Sequence, residues 1–249
     1  MGKTDSKTED VTQPDAAKRQ ATAAPTAPAD VENERKAGLS CLKRFPAYLQ
    51  LLRALQAEGH EYVSGTVLAS VHSLEPVIVR KDLAITGITG TPRVGFPVNE
   101  LIATIEHFLG WDNQTKAVLV GVGNLGTALL GYRGFENYGL RIVAAFDVDP
   151  KKIGKWVHDC KVQSLDQLNG FVRRGEIKLG VVTVPAGVSQ ATVDLMVQAG
   201  IRGIWHFTSV KLNVPDHVVA QKEDLAEGLA VISHRLRHLL ASPVPPGAK

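Results

Sequence analysis

The stretch AVLVGVGNLGTALLGY, residues 117–132, decides the fold. Ala117, Val118, Leu119 and Val120 form an apolar run of the kind a strand buried on both faces requires. Gly121, Gly123 and Gly126 follow, and then Thr127, Ala128, Leu129 and Leu130 favour a helix. In a strand–turn–helix of this GxGxxG type, Gly121 permits the sharp reversal and Gly123 lets the backbone approach a pyrophosphate. Gly126 lets helix and strand pack closely. A glycine-rich turn alone need only close a strand–helix unit. Here a second apolar strand, residues 142–146, ends in Asp147, where a carboxylate accepts hydrogen bonds from an adenine ribose.

Working downstream, Asp149 and Pro150 open a short helical turn, and Leu165, Leu168 and Val172 mark a helix. Residues 179–184 read as a third buried strand ending at Pro185. Thr183, Val184 and Pro185 therefore lie at a strand's carboxyl end, the edge where open α/β sheets bind ligands. A helix over 188–199 is closed by Gly200, and a further strand over 201–207 brings His206 and Phe207 to the same edge. A histidine there is either a catalytic group or a hydrogen-bonded structural one. After Pro215 comes a short strand-like HVVAQ, then a final helix from Asp224. Its Leu225, Leu229, Ile232, Leu236 and Leu239 recur every three or four residues, and Ala226, Ala230 and Leu240 widen the stripe. Such a helix must cover something, either its own domain or a partner subunit.

Upstream, Tyr48, Leu49, Leu52 and Leu55 fall at helical spacing, with Gly59 as the stop. Ser64 is the expected N-cap of a short helix carrying Val67, Leu68 and Val71. A turn at His72 and Ser73 separates it from a third helix, LEPVIVRKDLAITG, with Pro76 near its front and Gly87 at its close. Two short helices on a tight turn fit a helix-turn-helix, and GITGTPRVGFPV reads as a wing with Arg93 near its tip. Val77, Val79 and Leu83 are expected to face the core while Arg80 and Lys81 face outward. From there they reach guanine edges or phosphates in a major groove. Lys43 and Arg44 are placed to hold phosphates from the side. Taken alone, an Arg-Lys pair is no more than a solvated basic face; the order helix, turn, helix, wing gives it a role. A further helix over 99–109, with Leu101, Ile102, Ile105 and Phe108 on one side, leads into a junction near residues 110–115.

The rest of the composition sets bounds. A length of 249 residues suits one large or two small domains. A net charge of +3 announces no bulk attraction to nucleic acid, so any basic patch is local. Cys41 and Cys160 have neither metal-type nor CxxC spacing, which points to a reducing compartment without a disulfide framework or zinc site. No apolar run approaches a membrane span and the polar start lacks a signal peptide's core, so a cytoplasmic location without membrane attachment is expected. Residues 1–37 hold six Lys or Arg against seven Asp or Glu and no large apolar residue between Val11 and Val31. That composition predicts a disordered tail. The expected organisation is α/β: a tail (1–37), a winged helix-turn-helix domain (38–112), a Rossmann-like parallel-sheet domain (113–222), and a C-terminal helix and tail (223–249).

These segments together resemble the Rex redox-sensing transcriptional repressors. The resemblance runs from Cys41 to Leu240 through RFPAYLQLLRALQAEG, VRKDLAITG with the GTPRVGF wing, VGVGNLGTALLGY, AAFDVDPKKIG, VVTVPA, GIRGIWHFTSVKLNVP and EDLAEGLA. It implies a homodimer with domain-swapped C-terminal helices that binds palindromic double-stranded operator DNA when NAD predominates and releases it when NADH binds. It also implies that the cofactor sets the spacing of the two recognition helices. By similarity Arg80 and Lys81 contact DNA, helped by Lys43, Arg44 and Arg93. Gly121, Val122, Gly123, Asn124, Leu125 and Gly126 hold the pyrophosphate, and Asp147 holds the ribose. Thr183, Pro185 and Phe207 line the site toward the nicotinamide, with Tyr132 beside it and Asp224 at the head of the swapped helix. Two departures stand out. Gln50 occupies the place of a family arginine that pairs with that acid. Ala84, Ile85, Thr86 and Gly87 replace an aromatic end of the recognition helix.

Two other classes compete. An NAD-dependent oxidoreductase needs a general acid or base near the hydride, and His206 is the one obvious candidate in a chain with little beyond its last sheet strand. A CoA-binding module shares the glycine-rich turn, but Asp147 would repel a phosphate on the ribose, although Lys151 and Lys152 lie close by in sequence.

Overall fold

The structure is a computed structural model that describes residues 38–241 apart from His72, so the N-terminal tail of the sequence reading lies outside the described residues. The chain divides into two compact units, one ending at Val98 and the other beginning at Asn99.

The first unit runs α1 (Leu39–Leu42), α2 (Phe45–Ala57), β1 (Tyr62–Val63), α3 (Gly65–Ser70), α4 (Pro76–Ile85) and β2 (Phe96–Pro97). Helix α2 buries Phe45, Tyr48, Leu49 and Leu52 on one side and ends before Gly59, which takes a left-handed φ of 83°. The Ser64 hydroxyl accepts from Val67 N–H at 3.2 Å, capping α3 as its residue type requires. Helix α4 starts at Pro76 and buries Val79, Asp82 and Leu83. Val77, expected to face the core, is 48% exposed. Two residues along a helix is a rotation of about 200°, so Val77 and Val79 cannot both face one core. Strands β1 and β2 pair antiparallel, Val63 opposite Phe96, and the wing after α4 leads into β2. Thr91 and Gly95 bridge its tip, with Pro92 and Arg93 between them.

Helix α5 (Val98–Phe108) begins at the break and buries Leu101 and Ile105. It leads to β3 (Thr115–Val120), α6 (Asn124–Leu130), a 3-10 turn (Arg133–Tyr138), β4 (Leu140–Asp147), β5 (Trp156–Val157) and β6 (Cys160–Ser164). There follow a second 3-10 turn (Leu165–Gln167), α7 (Leu168–Gly175), β7 (Leu179–Val182), α8 (Ala186–Ala199), β8 (Gly203–His206), β9 (Val219–Lys222) and α9 (Leu225–Ala241). The seven strands lie in the order β5-β6-β4-β3-β7-β8-β9, all neighbours parallel except the β5–β6 hairpin. The chain runs outward from β3 through β4 to β6 and then returns to the other side of β3 with β7. This reversal is a topological switch point, and it falls at the glycine turn. The β5–β6 hairpin follows the turn opened at Asp149 and Pro150 and was not read from the sequence; its strands are too short to show a period.

Strand alternation sorts side chains to two cores. Val118, Val120, Ala144, Phe146 and Val182 pack toward α7 and α8. Ala117, Leu119, Val122, Ala145 and Val181 form the other core, against which Leu129, Leu130, Trp205 and Phe207 pack. Both cysteines are free and buried.

Candidate dinucleotide and nucleic-acid sites

The glycine turn is fixed by close backbone contacts. Gly121 has φ 103°, and a Cβ there would lie 2.7 Å from Val184 Cγ1 and 2.9 Å from the Thr183 backbone. A Cβ on Gly126 would overlap the carbonyl oxygen of Gly121. At Gly123 a Cβ would meet nothing within 4 Å, so a glycine there leaves the approach to the main chain open. The Thr183 hydroxyl donates to Gly121 O at 2.6 Å, so Thr183 holds the turn as well as bordering the site.

Asp147 latches the same turn. Its Oδ2 accepts from Val122 N–H at 2.7 Å and from Lys152 Nζ at 3.0 Å, and its Oδ1 accepts from Asp149 N–H at 2.9 Å. Burial by itself would raise this carboxyl. The Asp149 N–H, the Lys152 ammonium and the Val122 N–H outweigh it and hold the group below the usual carboxylate range.

At the switch point a cavity of about 610 Å³ opens between this turn and α8, large enough for a nucleotide-sized ligand. Of the residues read from sequence, Gly121, Gly123, Asp147, Thr183 and Pro185 line it. Val122 is buried with its N–H already given to Asp147, and Gly126 is buried under the turn; both shape the loop from behind. Asn124 and Leu125 sit in the first turn of α6 and are not among the lining residues. The sequence reading missed the opposite wall. Val188, Ala191 and Leu195 of α8 line the cavity, while Val193, Met196 and Ala199 of the same helix enter the core. An i, i+3, i+7 pattern was present in the sequence, but a helix apolar on two faces does not reveal which one is core. Val148, Lys152 and Leu165 complete the wall beside Asp147.

Tyr132 and Phe207 lie on the other face of the sheet. Tyr132 packs on Phe135 at 4.8 Å, Phe135 on Trp205 at 5.5 Å, and Trp205 on Phe207 at 5.1 Å between ring centroids. They form a continuous aromatic row. Trp205 and Phe207 share a face because they are two apart on one extended segment, a signal legible in IWHF. His206 points the opposite way, 4% exposed, its Nδ1 3.3 Å from Thr208 Oγ1. Burial first, and then the Lys222 charge, push its imidazole below the usual histidine range. That is a neutral structural histidine, not a proton-transfer group facing a ligand. Asp224 stands at the head of α9, where it accepts from Ala226 N–H at 3.0 Å and Lys222 Nζ at 2.9 Å. It does not line the cavity.

In the first unit Arg80 and Lys81 are exposed on α4, and Lys43 is exposed in the turn before α2. Arg44 is committed inward. Its Nε and Nη2 each lie 2.6 Å from the Asp82 carboxylate, which also accepts from Tyr48 Oη at 2.9 Å. Burial would raise the Asp82 carboxyl, but Arg44 and Tyr48, with the Cys41 thiol, hold it down. The Cys41 thiol is in turn pushed up to about 12, first by burial and then by the Asp82 charge. Asp82 therefore anchors the recognition helix from beneath the two exposed cations. Arg93 sits exposed at the wing tip with φ 67°. Val94 N–H donates to Thr91 O at 3.1 Å, so Arg93 holds the third place of a four-residue turn, where a positive φ favours glycine. Gln50 is exposed on α2.

Comparison with known proteins finds matches to both parts of the chain. Residues 39–84 match a family model described as "Putative DNA-binding protein N-terminus", and residues 112–210 match the CoA binding domain model. The redox-sensing transcriptional repressor Rex of Treponema denticola is 48% identical over 77% of this chain and 91% of its own length. Its counterpart in Bacteroides thetaiotaomicron is 37% identical over 82% and 96%. Among solved structures, the Rex-family repressor RSP in complex with NAD+ and operator DNA superposes with a TM-score of 0.76 at 29% identity, covering 82% of this chain and 94% of that one. RSP in complex with NADH gives 0.74 at 29% identity, covering 82% and 96%. The chain belongs to the Rex family of redox-sensing transcriptional repressors.

Proposed function

We propose that this chain represses transcription by binding palindromic double-stranded operator DNA as a homodimer, and that NADH in the switch-point cavity releases it. The observation that carries this reading is the cavity itself, walled by a glycine turn that Asp147 latches. Asp147 and Val148 would hold the adenosine of a dinucleotide laid across the turn. Gly121 and Gly123 would hold its pyrophosphate and Thr183 and Pro185 would border its nicotinamide, with Phe207 and Tyr132 contributing from the aromatic row on the other face of the sheet. When bound, the cofactor supplies a ring that is neutral when reduced and positively charged when oxidised. The chain's part is to bind it, orient it and favour one dimer state.

Helix α9 supports the dimer. All seventeen of its residues are exposed, with Leu225 at 74%, Leu229 at 65%, Ile232 at 63% and Leu239 at 70%. An apolar stripe of that size is covered in solution, and a second copy exchanging α9 covers it. Residues 38–112 serve as the DNA-binding part and 113–222 as the nucleotide-binding part, with 223–249 as the exchanged helix and tail. Arg80 and Lys81 enter the major groove, Lys43 holds phosphates from the side, and Arg93 helps from the wing. Among the described residues no helix is long and apolar enough to cross a membrane, and a repressor of this kind works in the cytoplasm, where its DNA is.

The test is fluorescence anisotropy of a labelled inverted-repeat operator at fixed, stated salt, with NAD or NADH added. Binding weakened by NADH and retained with NAD supports the reading. Binding indifferent to both would overturn it. Steady-state hydride transfer lost on His206→Ala would favour an NAD-dependent oxidoreductase instead.

A further inference from the structure

Resting on the dinucleotide reading, we infer that Lys152 is a specificity-determining residue held in reserve: while Asp147 binds its ammonium the site takes a cofactor without a phosphate on the adenosine ribose, and released from Asp147 it makes the same site accept one.

Lys152 reaches the cavity because the segment after β4 folds back. Asp149 Oδ1 accepts from Lys151 N–H at 2.9 Å, and Lys152 N–H donates to Asp149 O at 3.0 Å. This tight turn sends the Lys152 side chain toward the β4 end, where both it and Asp147 line the cavity. Lys151, its neighbour, is exposed and does not line it. The Lys152 side chain is 38% exposed and that of Asp147 8%, so the pair sits at the cavity's rim with its negative member the more buried.

A carboxylate has about four acceptor positions. Val122 N–H, Asp149 N–H and Lys152 fill three of them. What remains suits a hydroxyl that donates one hydrogen bond. A ribose phosphate has no such proton to give near neutral pH and meets an ionised acid. With Asp147 in place, the one cation that lines the cavity among the described residues is already committed to it. Remove the carboxylate and that cation becomes the partner of whatever anion enters.

The experiment measures dissociation constants for NADH and NADPH with purified full-length protein, by fluorescence of the reduced nicotinamide. Wild type, Asp147→Ser, Lys152→Met and the double variant are compared. In Asp147→Ser the NADPH-to-NADH affinity ratio rises by roughly tenfold or more, the size of one charge-assisted hydrogen bond. In the double variant the ratio falls back toward that of wild type. Lys152→Met alone gains nothing for NADPH. If Lys152 served folding only, its loss in the Asp147→Ser background would weaken both dinucleotides equally and leave the ratio high, which would overturn the inference. So would an unchanged ratio in Asp147→Ser. Should Asp147→Ser fail to fold, Asp147→Asn, which keeps an oxygen for Val122 N–H, carries the same comparison. A wild type that binds neither dinucleotide refutes the underlying reading and the inference with it, whereas NADH binding with no ratio change refutes the inference alone.

Discussion

The Arg44–Asp82 pair allows a prediction that separates anchoring from DNA contact. Two bonds of 2.6 Å join them, Tyr48 adds a third at 2.9 Å, and the side chains are 21% and 4% exposed. Removing one partner of a buried ion pair costs about 3–5 kcal/mol. Water reaches part of the guanidinium, so Asp82→Asn is expected near the lower end, about 3 kcal/mol, and Arg44→Met similar. In the double variant no charge is stranded, so a double-mutant cycle should give a coupling of about 2 kcal/mol or more. The assay is urea unfolding of the full-length protein followed by circular dichroism. The pH dependence supplies a second sign. In wild type the Asp82 carboxyl is depressed, so its contribution is present above the unfolded-state value and lost as pH falls through the folded-state value. In Arg44→Met burial prevails, the carboxyl rises, and stability should increase on mild acidification. Folded Arg44→Met should also keep the operator salt dependence of wild type, whereas loss of a phosphate contact would reduce the slope by about 0.9. Additive single variants each costing under about 0.5 kcal/mol, the range of ordinary surface changes, together with a reduced slope, would refute the anchoring argument and return Arg44 to the DNA.

Other outcomes follow from other parts of the chain. Arg93→Gly removes a left-handed non-glycine residue and should raise stability by about 0.5–1 kcal/mol while weakening operator binding; a less stable Arg93→Gly protein would show that the turn is unstrained. Gly126→Ala forces a methyl onto Gly121 O, at a cost of about 1–3 kcal/mol, and should abolish tight NADH binding as read by nicotinamide fluorescence. Because the buried His206 titrates below its usual range, wild-type stability should fall as pH drops below about 6.5, the unfolded-state value, toward the folded one; His206→Phe should flatten that dependence in pH-resolved thermal melts. Leu229→Asp with Leu236→Asp places two charges on the exposed stripe of α9 and should convert dimer to monomer in sedimentation equilibrium.

Much of the nucleotide domain was legible because its signals are local. An apolar run, three glycines at fixed spacing and an acid closing the next strand specify β3, the turn, α6 and β4 almost residue by residue. The same holds for Ser64 capping α3 and Gly59 ending α2. What escaped was non-local. Asp82 looks like a surface charge until Arg44, 38 residues earlier, is seen to meet it. Lys151 and Lys152 both lie close to Asp147 in sequence, and nothing there says that Lys152 is the one that turns back to it. The face of α8 that lines the cavity could not be told from the face in the core, because both are apolar. Val77 was misplaced because a helix that begins at Pro76 fixes its rotation by packing, and three apolar residues in the first two turns leave that rotation open.

In the proposed function one molecule holds operator and NADH in opposition, which linkage makes reciprocal. Allosteric coupling of about 1–3 kcal/mol corresponds to roughly a 5- to 150-fold effect. The direct measurement is the NADH dissociation constant of the full-length protein with and without saturating inverted-repeat operator. The account predicts that operator weakens NADH by the same factor by which NADH weakens operator. An NADH affinity unmoved by saturating DNA would contradict it.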